Sequence, residues 1–171
     1  MTEWPLPRLL LRLRQLLPLG LSLLAVLLTA APTRLPGFAA IMPVLPLICV
    51  YYWAIFRPDL MSPATAFLLG LAADLVGGTP LGVSSLVFVA VQGTCASQRR
   101  FFLGKPFTVA WWGFVPVATG AQAMQWLFAS LLAGRILPVD DVFYQALATC
   151  AAYPLASWLF ARAWVLGMRG A

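Results

Sequence analysis

The chain has 171 residues, of which 62% are hydrophobic and 9% charged, with 11 Lys and Arg, 5 Asp and Glu and no His. Soluble domains carry roughly a quarter of their residues as charges, so this composition, with a mean hydropathy of +0.90, predicts an all-α integral membrane protein. The formal net charge of +6 does not indicate nucleic acid, because the basic residues stand singly or in small groups at the ends of apolar runs, without interleaved aromatics.

A bilayer core of about 30 Å needs ~20 helical residues, and six segments approach that length. The first runs from about Leu16 to Ala31, behind Arg8, Arg12 and Arg14. A basic lead, an apolar stretch and Thr29-Ala30-Ala31 also fit a secretory signal, but the apolar segments that follow at once favour an uncleaved span. The second, from about Phe38 to Phe56, carries Pro43 and Pro46. Each removes a helix hydrogen bond, so its first half is expected to be bent or extended and the segment to pack inside the bundle, where broken backbone is tolerated.

The third segment, from about Ser62 to Val76, opens with Ser62 as N-cap and Pro63 in the first turn. Gly77-Gly78-Thr79-Pro80 closes it. At about 15 residues of 1.5 Å rise each, it is short for a span. The fourth covers about Leu81 to Gln98, followed by Arg99, Arg100 and Lys105. The fifth, from about Phe107 to Ala133, has Pro116 as a kink site. The sixth covers about Val142 to Val165.

With the N-terminal side in the cytoplasm, that face receives Arg8, Arg12, Arg14, Arg57, Arg99, Arg100, Lys105, Arg162 and Arg169, and the outer face only Arg34 and Arg135. This asymmetry satisfies the positive-inside rule. The expectation is a single polytopic domain over residues 1–171 in a bacterial inner membrane, a compact bundle of about six helices. Both termini and short tails at 1–15 and 167–171 would then be cytoplasmic. Tyr51, Tyr52 and Trp53, and Trp111 and Trp112, fall where the cytoplasmic interface is expected and read as aromatic-belt anchors, with the lining of a ligand cavity as the alternative.

No pattern predicts catalysis, a cofactor or a metal. Cys49, Cys95 and Cys150 lie singly in apolar segments, without the paired spacing of a zinc site, and read as small hydrophobes. Ser84, Ser85 and Ser97 have no visible activating base. Asp140-Asp141 read as a solvated helix start, and Gly77-Gly78 lacks the Lys of a phosphate loop.

Asp74 stands apart as the acid well inside an apolar run, AFLLGLAADLVGG. An Asp at a bilayer centre costs roughly 2.5–3.5 kcal/mol, so it needs water, a partner or a place near the interface, and is by default a functional candidate. Ala66, Gly70, Ala73 or Asp74, and Gly77 share one face on which another helix can approach closely. Two readings of the carboxylate stand side by side: it reaches interfacial water or caps the Gly77-Gly78 turn, or it makes a specific contact to another helix or subunit. Gln92, Gln122 and Gln125 read as interhelical hydrogen-bonding groups.

Tyr52-Trp53, Pro58 and the stretch GLAADLVGGTPLG from Gly70 to Gly82 resemble the shared core of the rod shape-determining protein MreD family. The resemblance implies a non-enzymatic inner-membrane scaffold or regulatory subunit of the cell-elongation complex. It further implies pairing with MreC and a link between MreB filaments and the synthase RodA with its transpeptidase partner, supporting peptidoglycan synthesis and cell shape. It also implies an architecture similar to the substrate-binding components of energy-coupling-factor transporters. Asp74, Gly70, Gly77, Gly78, Pro80 and Gly82 are then candidates for a structural or partner contact, alongside membrane lipids. The alternative is a small-molecule-binding membrane component of such a transporter, in which Asp74, Gln92, Gln122 and Gln125 would converge on a cavity.

Overall fold

The computed structural model describes residues 19–29 and 42–169, with side chains to residue 162. The basic positions Arg8, Arg12, Arg14 and Arg34, the tail at 1–15 and the start of the second expected segment lie outside the described residues. Every regular element among those described is helical: α1 over residues 19–29, α2 Leu45–Phe56, α3 Pro63–Gly77, α4 Val83–Phe102, α5 Phe107–Ala133 and α6 Val139–Arg169.

The organising element is α2. Its sequence LPLICVYYWAIF has no charge, and Pro46 through Tyr51, with Trp53, Ala54 and Ile55, are buried. It packs on α4, α6 and α3. As expected of the proline-bearing first half of the second segment, Met42 to Val44 are not helical, and the helix begins at Leu45. Pro46 occupies the first turn, where its missing N–H leaves no helical bond unmade.

Helix α3 opens on Ser62, whose side chain accepts a hydrogen bond from the Thr65 N–H at 3.2 Å. It closes on Gly78 at φ +69°, whose N–H donates to the Asp74 carbonyl at 3.0 Å. A second left-handed glycine, Gly82 at φ +100°, starts α4. Both lie in a region that glycine enters without a Cβ penalty, and together they fold α3 back on α4, the most extensive helix pair.

Side-chain bonds to the backbone set the directions of the other helices. Arg99 Nε donates to the Ile55 carbonyl at 3.2 Å, so α2 and α4 end side by side. Gln92 Nε2 donates to the Met61 carbonyl at 3.0 Å, at that same end. Tyr51 donates its hydroxyl to the Ala110 carbonyl at 2.8 Å, placing the start of α5 there too. Helix α6 runs back past α5: Trp111 donates to the Cys150 carbonyl, and Phe160 reaches Tyr52 and Trp53. The described basic residues Arg57, Arg99, Arg100, Lys105 and Arg162 thus gather towards one end, while Arg135, Asp140 and Asp141 lie towards the other.

Tyr51 and Trp53 are fully buried, which corrects their reading as interface anchors. Tyr51 meets Phe102, Phe114 and Tyr153 edge-on because α2 runs through the middle of the bundle. Trp111 is half-buried, and Trp112, 71% exposed, keeps an outward position. Helix α4 starts two residues later than expected and runs on to Phe102, α5 matches its expected ends, and α6 extends beyond both of its own, reaching Val139–Arg169.

Among the described residues no helix is long and apolar enough to cross a membrane. Helices α2 and α3 have 12 and 15 residues. Helix α4 carries Gln98-Arg99-Arg100 near its end, and α5 carries Gln122 and Gln125. The expectation of about six spans, with the third already short, is corrected to that extent. Large apolar side chains nonetheless cover the outside, including Leu27, Leu68, Leu86, Leu131, Leu147 and Trp158.

Candidate functional site

The turn between α3 and α4 is built around Asp74, which is 1% exposed. Its Oδ1 accepts from the Thr79 hydroxyl at 2.7 Å, and its Oδ2 accepts from the Gly82 N–H at 2.8 Å. The Ser84 N–H lies 3.1 Å from Oδ1 and 3.2 Å from Oδ2. Gly82 and Ser84 are the N-cap and second residue of α4, whose first N–H groups have no partners within the helix. The carboxylate of one helix therefore supplies the cap of the next, and sits at the positive end of its dipole. Charge-assisted bonds of this kind are the stronger ones in proteins.

One turn earlier, Gly70 is where the two helices touch. A Cβ there would fall against the Ser85 Cα, 2.5 Å from the Ser85 nitrogen and 2.7 Å from the Ser84 carbonyl carbon. These are backbone atoms that cannot swing aside. Ala66 on the same face is also buried. Gly77, by contrast, is exposed and a Cβ there would meet nothing within 4 Å. Gly78 and Pro80 are exposed on the turn, and Gly82 is half-buried. Of the six residues singled out in the sequence, Asp74, Gly70 and Gly82 join in the contact between the two helices, while Gly77, Gly78 and Pro80 are exposed on the turn, Gly78 and Pro80 sharing only its main-chain bonds.

The candidates Asp74, Gln92, Gln122 and Gln125 do not meet at one point. Asp74 is consumed by the α3–α4 turn, and Gln92 binds Met61 at the opposite end. Gln125 Nε2 donates to Ser84 Oγ at 2.9 Å, and Gln122 Nε2 donates to Thr149 Oγ1 at 3.3 Å. Both glutamines line a cavity of about 570 Å³ beside the Asp74 turn, together with Thr79, Ser84, Phe88 and Trp126.

Thr149 and Gln145, which the sequence reading passed over, complete this region. The Thr149 hydroxyl donates to the Gln145 carbonyl at 2.6 Å and accepts from the Val44 N–H at 3.0 Å. Gln145 Nε2 lies 3.4 Å from the Met42 carbonyl. The start of α2 is thus held to α6 by side chains. Polar residues at corresponding depth in different helices were the available signal, but pairing them requires the packing.

A family model for the rod shape-determining protein MreD matches residues 11–163. The chain belongs to the MreD family. Within the matched span lie the Asp74 turn and every described helix through Arg162. Among curated relatives, the chain is 36% identical over 69 residues to the rod shape-determining protein MreD of Haemophilus influenzae, covering 40% of this chain and 42% of that one. It is 25% identical over 114 residues to an uncharacterized protein of Rickettsia prowazekii, covering 66% of this chain and 64% of that one. The chain thus spans less than two thirds of the length of these relatives. No solved structure matches it.

Proposed function

We propose that this MreD-family chain is a non-enzymatic scaffold or regulatory subunit of the bacterial cell-elongation complex. It is embedded in the inner membrane as a single polytopic domain, with the Arg99 end of the bundle facing the cytoplasm. In this reading it pairs with MreC, works beside RodA and its transpeptidase partner, is connected indirectly to MreB, and so supports peptidoglycan synthesis and cell shape. The observation that carries the reading is the family match over residues 11–163.

Two physical observations support the membrane setting. Leu23 and Leu27 on α1, Leu131 on α5, and Leu147 and Leu155 on α6 are at least half exposed. Soluble monomers rarely leave contiguous apolar patches larger than a few hundred Å². The charged residues Arg57, Arg99, Arg100, Lys105 and Arg162 gather towards one end of the helices, as the positive-inside rule requires of a cytoplasmic face. Helices as short as α2 are served in such a setting by the longer ones around them, because irregular backbone such as Met42 to Val44 is tolerated at depth when covered by protein.

Such a scaffold acts through helix faces and short turns, and the outer surface of the Gly77-Gly78-Pro80 turn is its candidate partner contact. The test is complementation of a deletion strain combined with affinity isolation in mild detergent. Restoration of rod shape and recovery of MreC with the tagged chain are the expected results. Normal rods in the deletion strain, or isolation without MreC at matched membrane levels, would overturn the reading.

A further inference from the structure

We propose that the cavity beside the Asp74 turn is a binding site for a small, uncharged or singly cationic molecule. The ligand would carry an N–H or O–H donor on an apolar or aromatic body. The inference goes beyond the scaffold role and starts from one atom. Gln122 is 3% exposed, and its Oε1 is buried without a hydrogen-bond partner.

The orientation of that amide is fixed by its neighbour. The Thr149 hydroxyl gives its proton to the Gln145 carbonyl, so towards Gln122 it can only accept, and it faces the amide nitrogen at 3.3 Å. Turning the amide over would set two acceptors against each other. The carbonyl oxygen is therefore the group of Gln122 left for a donor, and Gln122 is one of the residues that line a cavity of about 570 Å³. That volume lies within the roughly 300–1,000 Å³ of small-molecule sites.

The rest of the wall sets the class of ligand. Phe88 and Trp126 offer aromatic surface, and Thr79 and Gln125 offer polar groups. Among the described residues no Lys or Arg lines the cavity, and the one ionisable group is Asp141, exposed at the rim. A carboxylate at the mouth and an acceptor inside disfavour an anion and suit an amine, amide or alcohol.

The test uses three probes that share one ring and differ in charge: tryptamine, its alcohol analogue tryptophol, and indole-3-acetate. Each is titrated into the full-length chain in detergent, and the thermal midpoint is followed. Tryptamine and tryptophol should raise the midpoint in a saturable way, and indole-3-acetate should not. Gln122→Leu, which keeps the bulk and removes the acceptor, should weaken both by roughly threefold to tenfold, the range of one net hydrogen bond. Ala129→Trp, which fills the cavity from α5 and leaves Gln122 in place, should abolish binding and serves if Gln122→Leu does not fold. Equal shifts from all three probes, or shifts that persist in these variants, would mean partition into the micelle and would overturn the site. No shift from either donor probe would do the same.

Discussion

At the scale of single residues, Asp74 makes the sharpest demand. Its two oxygens serve one hydroxyl and two backbone N–H groups. Asp74→Asn can turn its nitrogen to Thr79, whose hydroxyl then accepts, and keep its oxygen for Gly82 and Ser84. What it loses is chiefly the charge at the α4 N-terminus, about 1 kcal/mol. Asp74→Leu leaves the Gly82 and Ser84 N–H groups unpaired, at about 1–3 kcal/mol each. Thermal unfolding of the purified variants should therefore rank wild type above Asn and Asn well above Leu. An Asn variant as damaged as the Leu variant would mean that charge, not geometry, holds the turn. Gly70→Ala, with its Cβ against the Ser84-Ser85 backbone, should cost about 1–3 kcal/mol. Gly77→Ala, in open space, should be neutral or slightly stabilising, and equal losses at the two positions would contradict the close contact of α3 and α4. The sequence marks Asp74 as unusual because a lone acid in an apolar run is visible. Its partners are not, because two of the three are main-chain groups that no side-chain pattern announces.

At the scale of elements, the ends of α3 are legible because Ser62, Pro63 and Gly78 each constrain the backbone locally. The start of α2 is not, since Pro46 is as compatible with a first turn as with a kink, and only the fold chooses. The inward placement of Tyr51 and Trp53 is illegible for a similar reason. Proximity to Arg57 in the chain suggested an interface, whereas the central position of the helix turns Tyr51 and Trp53 inward. Gln92 illustrates how short elements are tied together: its amide crosses from α4 to the linker after α2. Gln92→Met, which preserves length and removes the donor, should strand the Met61 carbonyl at about 1–3 kcal/mol. A lowered unfolding midpoint checks this, and an unchanged midpoint would mean that water replaces the bond.

At the scale of the whole molecule, the apolar exterior and the gathered cations define an orientation that labelling can read. Lys105→Cys should react with a membrane-impermeant thiol reagent only after cells are permeabilised. Arg135→Cys should react in intact cells. The reverse pattern would invert the bundle, and with it the face offered to MreC. Composition made an all-helical bundle legible, because so few charges cannot cover a soluble surface. The cavity is legible only in part: Gln122 and Gln125 do line it, but Asp74 and Gln92 do not, its other walls come from residues as far apart as Thr79 and Gln145, and its free acceptor is created by a hydroxyl on a third helix.

The carboxylate of Asp74 finds its donors only five, eight and ten residues further along the chain. The Val44–Thr149 bond spans 105 residues. Closing a short loop costs less entropy than closing a long one, so the contact order of the hairpin is low and that of the α2–α6 pairing is high. We therefore expect the hairpin to close during synthesis, before α5 and α6 exist, and the cavity walls to be assembled last. A nascent chain stopped at residue 106 should already shield Ser85→Cys from a membrane-permeant thiol reagent. Full reactivity there would place hairpin closure after the last helices have been made, and the molecule would then fold as one late event, not from this turn outward.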